Sequence, residues 1–176
     1  MNAPSLSSAP PSFPGYEGEK RNEEEKETDV FTYVIVDCAL LDEDFYHKIT
    51  ANKQIISRSL FAGMSHNESA VAGPLLIKMD PVENEDLFTQ IQQIESSQPA
   101  VVWLWSQQDF KPLLSRLQTL LFGELESGKK YFFRYFDPRC LEGVLSLFNE
   151  DNRARKALKD ILGWAYKKDG QYQYLA

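Results

Sequence analysis

The hydrophobic positions along the chain follow two different periods, and the periods alternate from one segment to the next. Apolar runs and period-two patterns predict strands at residues 33–38, 55–61, 74–79, 100–106, 131–136 and 171–175. Apolar residues at spacings of three and four predict helices at residues 40–52, 87–94, 109–121, 141–148 and 154–165, with one or two helical turns at 65–72. Strands that alternate with helices indicate an α/β fold.

This order of elements predicts a layered sheet, mixed or mainly parallel, flanked by helices and followed by a short C-terminal helical extension. Residues 1–29 are rich in Pro, Ser, Gly and Glu, and we expect an acidic, Pro-rich, disordered tail there. Such a segment buries too little apolar surface to repay the entropy of ordering. The α/β domain is expected over residues 30–149. Residues 150–176 are expected to form a C-terminal helix and a tail packed on it.

The segment at residues 131–141 reads Y-F-F-R-Y-F-D-P-R-C-L and is the most informative part of the chain. Aromatic side chains fall on both faces of the predicted strand, which is typical of a strand covered on both sides. Asp137 is then expected to cap a helix, with Pro138 in its first turn. Arg134 inside this strand requires a partner, because an unpaired buried guanidinium is very costly. Asp137 or another carboxylate is the candidate partner.

The charge balance narrows the classes of function. Asp and Glu number 26 against 19 Lys and Arg, so the formal net charge is −7. An acidic chain without a clustered basic stripe argues against nucleic-acid binding, which depends on phosphate neutralisation. It also argues against docking on anionic membranes. No apolar run approaches the ~20 residues that a membrane span needs, so we expect no membrane insertion.

Few side chains are suited to redox or metal chemistry. Cys38 and Cys140 are the only cysteines and predict buried free thiols in a reducing compartment. With only two histidines, a zinc site would need distant carboxylates and cysteines. The N-terminus lacks the basic and apolar regions of a secretory signal. These features predict a cytoplasmic protein without a cofactor.

One enzymatic alternative rests on aspartates near predicted strand ends. Asp37, Asp42 and Asp44 follow the first strand, and Asp137 follows the aromatic one. Carboxylates at strand ends in α/β sheets often form sites and can hold Mg²⁺ for phosphoryl transfer or hydrolysis. Asp42 and Asp44 equally suit the start of a helix, where a macrodipole favours negative charge. Ala39 stands where a strand-end D-x-D pattern would need its second aspartate.

The last predicted helix carries the one locally basic region, at residues 153–168. A solvated face is the simplest interpretation of these charges, and an acidic partner is the other. Trp164 near the end of this helix is a candidate anchor for a contact, since aromatic residues are enriched among interface hot spots.

Four segments together resemble a known family. They are F-R-Y-F-D-P-R at residues 133–139, Y-V-I-V-D-C-A-L-L-D at 33–42, S-L-F-A-G-M at 59–64 and G-P-L-L-I-K-M at 73–79. Their content and order resemble the type VI secretion effector-adaptor family of effector chaperones, which was first catalogued as a domain of unknown function. The strand-to-helix segment is the strongest part of the resemblance.

The resemblance implies a non-enzymatic chaperone that binds a toxic effector in the bacterial cytoplasm and helps load it onto the type VI spike. The implied partners are the effector's N-terminal region and a VgrG or PAAR spike protein. The residues that match the family's motifs, and that we select as candidates for the site, are Leu60, Phe61, Gly63, Arg134, Tyr135, Asp137, Pro138 and Arg139. Many members continue into a helical C-terminal lobe, and here either the chain is a short form or the lobe is reduced to the final helix.

Overall fold

The computed structural model describes residues 29–64, 70–80, 83–124 and 127–176. The helices are α1 (Glu43–Ala51), α2 (Glu85–Ser97), α3 (Phe110–Leu120), α4 (Leu141–Glu150) and α5 (Asn152–Leu158). The strands are β1 (Phe31–Asp37), β2 (Ser57–Ser59), β3 (Pro74–Met79), β4 (Val101–Ser106), β5 (Phe122–Glu124), β6 (Lys130–Phe132), β7 (Ile161–Lys168) and β8 (Gln171–Leu175). The predicted tail, apart from Asp29, and residues 65–69 of the predicted helical turns lie outside the described residues.

A six-stranded sheet with the order β2-β3-β1-β4-β7-β8 forms the centre of the fold, and β5 and β6 pair separately. The α/β class and the flanking helices are therefore confirmed. The expected parallel pairing is wrong, because every pairing in the described part of the chain is antiparallel. The physical reason is that helices on both faces make any central strand apolar throughout, so the pattern carries no information about strand direction.

The sheet separates two hydrophobic clusters. On one face, α1 and α2 cover a cluster that includes Val34, Trp103 and Ala165. On the other, α3 and α4 cover a cluster that includes Ile35 and Leu104. Successive residues of β1 and β4 thus point to opposite layers, as the alternation of a strand requires. None of the helices in the described part of the chain combines the length and apolar character needed to cross a membrane.

The aromatic segment departs from the predicted buried strand. Only Lys130–Phe132 is a strand, and it pairs with β5 outside the main sheet. The chain then turns, and α4 begins at Leu141 with Cys140 at its N-cap, three residues after the expected capping position. Asp137 instead accepts a hydrogen bond from the backbone N–H of Arg139 within the turn. Tyr135 and Phe136 pack in the cluster between the sheet and helices α3 and α4, which gives the same apolar pattern as a buried strand.

The predicted C-terminal helix at residues 154–165 is correct only as far as Leu158, and the predicted strand at 171–175 is confirmed as β8. The segment contains α5, which ends at Leu158, and then β7 and β8, which complete the main sheet. The apolar residues after Leu158 match helical spacing by coincidence, and in β7 Trp164 and Ala165 lie opposite Leu104 and Trp103 of β4. The turn predicted at Asp169 and the following glycine is confirmed, and its two positive φ angles suit a tight hairpin.

Candidate functional site

Two buried aspartates meet beneath one arginine at the end of β1. Arg134 Nη2 lies 2.9 Å from Asp137 Oδ2 and 3.5 Å from Asp37 Oδ2. The aspartate side chains are 1% and 3% exposed, whereas the arginine side chain is 43% exposed. Arg134 therefore has its expected carboxylate partner, but the buried members of the cluster are the carboxylates.

A second arginine holds Asp137 from the other side. Arg139 donates from Nε to Oδ1 and from Nη2 to Oδ2, each at 2.9 Å, and its backbone N–H donates to Oδ1 as well. This paired geometry is the strong form of an arginine–carboxylate contact. Burial alone would raise the pKa of Asp137, but the hydrogen bonds and charge of Arg139, with the charge of Arg134, outweigh burial and lower it.

Asp37 has the opposite electrostatic balance. Its burial raises its pKa, and the hydrogen bond from the Ala39 backbone N–H and the charge of Arg134 offset this only in part. The guanidinium of Arg134 is therefore the main cation near a carboxylate that is costly to ionise. Removing that cation would leave the Asp37 charge less compensated.

The loop after β2 lies at the same end of the sheet. Leu60 is buried, and its N–H donates at 2.8 Å to the carbonyl of Pro74, the residue that pairs with Asp37. Gln118 of α3 donates to the carbonyls of Leu60 and Ala62, so the loop is fastened to a helix. Phe61 packs so closely on Gly73 that a Cβ there would lie 2.4 Å from the ring. The sequence S-L-F-A-G-M thus forms a tight turn under α3, with Gly63 exposed at a φ of 80°.

An aromatic cluster joins this loop to the hairpin of β5 and β6. The ring centroid of Phe132 lies 5.9 Å from that of Phe61, 5.3 Å from Phe122 and 5.9 Å from Phe136. The guanidinium of Arg134 lies 5.9 Å from the centroid of Phe136. The loop, the hairpin and the arginine cluster are therefore joined by one set of ring contacts.

The structure divides the predicted site residues into two groups. Arg134, Asp137, Arg139, Leu60, Phe61 and Gly63 belong to the loop and the arginine cluster at this end of the sheet. Tyr135, Pro138 and Trp164 are buried. The hydroxyl of Tyr135 donates to the Leu117 carbonyl, and its ring lies 6.1 Å from that of Trp164. Core packing accounts for both side chains.

The sequence does not predict the roles of two residues at this site. It offers Asp37 only as a possible metal ligand, and it offers Phe132 only as one of several aromatic residues in a predicted strand. The signal for Asp37 was its position at the end of a buried strand in a segment that carries the resemblance. No sequence signal distinguishes Phe132 from the neighbouring aromatics, because its exposure depends on where the strand ends.

The aspartates of the enzymatic alternative do not all come together. Asp37 and Asp137 share Arg134, whereas Asp42 is exposed at the N-cap of α1 and Asp44 is exposed in its first turn. Within the described ranges, no group of three or more His, Cys, Asp or Glu side chains is placed to hold a metal ion. The two buried carboxylates instead bind guanidinium groups.

The fold is an α/β sandwich whose site is a buried acid cluster capped by exposed arginines. A family model described as Domain of unknown function (DUF4123) matches residues 32–155. This range is more than half of the 176 residues, and the chain belongs to that family. No curated protein and no solved structure matches the chain. All four segments of the resemblance lie within the matched range, and β7 and β8 lie beyond it.

Proposed function

We propose that the protein is a non-enzymatic chaperone or adaptor that binds a type VI secretion effector in the bacterial cytoplasm and helps load it onto a VgrG or PAAR spike protein. Membership of the matched family and the resemblance to effector adaptors support this proposal. The protein would act by binding and release, and its client would be the N-terminal region of a toxin.

The observation that carries the proposal is the meeting of the four resembling segments at one end of the sheet. Asp37 ends the strand of segment 33–42 and pairs with Pro74 of segment 73–79. Phe61 of segment 59–64 packs against Gly73 of segment 73–79. Arg134 of segment 133–139 binds Asp37. Segments that are distant in sequence thus pack together beneath the exposed Arg134, which supports a shared role for them.

The chemistry of this surface favours binding over catalysis. Both buried carboxylates are engaged by arginine, so neither is positioned as a free general base or metal ligand. The exposed groups are the guanidinium groups of Arg134 and Arg139 and the ring of Phe132. Arginine and aromatic side chains are enriched in protein–protein interfaces. A rigid base beneath them keeps the entropic cost of binding low.

A tagged pull-down from the native bacterium, followed by mass spectrometry, tests this function. The full chain carries the tag, and secretion proteins must be expressed under the growth conditions used. We expect a large toxin or a spike protein as the main stoichiometric partner. Recovery of neither, with the secretion proteins detected in the input, would contradict the proposal.

A further inference from the structure

The extended segment at residues 130–134 presents one face to solvent. Lys130, Phe132 and Arg134 are exposed, while Tyr131 and Phe133 between them are half-buried. The alternation continues past the end of β6, so the exposed face is a property of the whole segment. Lys130 lies directly opposite Glu124 in the hairpin, and this end of the face therefore adds little net charge.

Phe132 is the apolar centre of this face. Its side chain is 43% exposed, although its ring contacts three other phenylalanine rings. One side of the ring thus packs on other phenylalanines, and the rest of it is exposed to solvent. An exposed aromatic side chain held in place by its neighbours is suited to anchor a protein contact, since aromatic residues are enriched in interfaces.

Arg134 follows Phe132 on the exposed face of this segment, and Arg139 binds the same carboxylate as Arg134. Both bind the same buried carboxylate, and their side chains remain 43% and 55% exposed. The bonds to Asp137 use Nε and Nη2 of Arg139 and Nη2 of Arg134. Each guanidinium has five N–H donors, so each can bind a further carboxylate on its exposed side without reorientation.

We propose that Phe132, Arg134 and Arg139 form a docking surface for an extended partner segment in which an apolar side chain is flanked by carboxylates. This inference deepens the proposed function and rests on it, because it names the chemistry of the client. The apolar side chain covers Phe132, and the flanking carboxylates pair with the two arginines. A basic segment would place like charges against the guanidinium groups and would be rejected.

Three labelled peptides test this surface with the full chain. One has Leu-Phe flanked by two glutamates on each side, the second has glutamine in place of each glutamate, and the third has lysine. Binding is followed by fluorescence anisotropy at low salt. We expect the acidic peptide to bind about tenfold more tightly than the glutamine peptide, and the lysine peptide to bind least. Raising the salt concentration should weaken the acidic peptide selectively.

Matched variants assign the binding to this surface. Phe132→Ser and Arg139→Gln should each weaken the acidic peptide about tenfold. Tyr174→Ser and Arg155→Gln are the controls and should leave it unchanged. Tyr174 has the same 43% exposure as Phe132 but lies on β8 at the far edge of the sheet. Thermal melts accompany both variants, because Phe132 packs on three rings and Arg139 compensates the buried Asp137. The comparison of the three peptides on the wild type tests the surface whether or not either variant folds.

Several results would overturn the inference. Equal binding of the three peptides, binding of none, or an equal loss in the Tyr174 variant would each reject it. A concentration-dependent dimer that Phe132→Ser abolishes would assign the surface to a second copy of this chain. Cross-linking of the surface to residues 1–28 of the same molecule would assign it to the chain's own acidic segment.

The two proposals fail in distinguishable ways. The peptide assay needs no secretion protein, so preferential acidic binding without a toxin or spike partner in the pull-down rejects only the proposed function. A toxin recovered equally well by the wild type and by Arg139→Gln, with no peptide preference, rejects only the docking surface.

Discussion

Arg134 and Asp137 form a 2.9 Å ion pair in which the carboxylate is buried and the guanidinium is 43% exposed. The pair joins the end of the hairpin segment to the turn before α4, and Asp37 extends it to the end of β1. The buried charge that needs a partner is therefore the carboxylate of Asp137. The arginine is the group that a partner protein would meet.

The buried carboxylate of Asp137 should be the most sensitive position of the site. Asp137→Asn keeps an acceptor for the Arg139 backbone N–H, but it leaves Arg139 without its anion and Arg134 with Asp37 alone. We expect it to lower the free energy of unfolding by about 2 kcal/mol at neutral pH, measured by urea unfolding. Glu150→Gln, at an exposed position of α4, is the control and should change little. Equal unfolding curves for all three proteins would contradict the burial of a charged carboxylate.

The same substitution should change the dependence of stability on pH. Because the pKa of Asp137 in the folded protein is below its ordinary value of 3.8, its contribution is fully present above that pH. It is lost as the pH falls through the folded pKa. The difference between the wild type and Asp137→Asn should therefore shrink in acid. A difference that stays constant down to about pH 2 would mean that the variant acts through packing alone.

Glu95 should show the opposite dependence. This carboxylate of α2 accepts hydrogen bonds from the indole N–H of Trp103 and the hydroxyl of Tyr172, and burial raises its pKa above 4.5. Its contribution is fully present below that pH and is lost as the pH rises through the folded pKa. Glu95→Gln keeps both hydrogen bonds, with its amide N–H donating to the Tyr172 oxygen. We expect the variant to gain stability relative to the wild type between pH 4 and 8, measured by thermal melts. A constant difference would show that Glu95 titrates normally.

Two glycines offer a matched test of the packing at the site. An added Cβ at Gly73 would lie 2.4 Å from the Phe61 ring, whereas nothing lies within 4 Å of one at Gly143 in α4. Gly73→Ala should therefore lower the free energy of unfolding by about 1–3 kcal/mol. Gly143→Ala should raise it by up to about 1 kcal/mol through helix propensity. Equal thermal melts for the two variants would contradict the close packing of the loop.

Magnesium should have no effect on stability. The proposed function gives the paired aspartates no role in binding a metal, and Asp37 and Asp137 already bind arginine. We expect the melting temperature to stay the same when about 10 mM Mg²⁺ is added, since only a ligand of the folded state stabilises by mass action. A rise that Asp37→Asn abolishes would restore the Mg²⁺-dependent enzyme as the better account.

Much of the fold could be predicted from single-residue patterns. The strands at Pro74–Met79 and Val101–Ser106 and the apolar stripes of α2 and α3 were found because local periodicity and burial coincide there. The turn at Asp169 was found for the same local reason. The hairpin that this turn closes was not predicted. The apolar residues of β7 fit the spacing of a helix as well as that of a strand.

The remaining errors concern tertiary arrangement. Strand direction depends on how the chain returns across the sheet, and the side-chain alternation of β1 is the same for either direction. The aromatic run could not be placed, because Tyr135 and Phe136 are buried in the cluster between the sheet and the helices and not as members of a strand. The pairing of Arg134 with Asp137 was predictable because a guanidinium in an apolar segment needs a carboxylate partner, although in the structure the carboxylate is the buried member. The approach of Asp37 depends on contacts between segments about 100 residues apart.

The most direct test of the account is photo-cross-linking in the living bacterium. A photoreactive phenylalanine analogue replaces Phe132 in one strain and Tyr174 in a control strain, with the protein at its natural level. We predict that position 132 cross-links to a toxin or a spike protein and that position 174 does not. Cross-linking to neither class of protein from position 132, in cells that express both, would contradict the account.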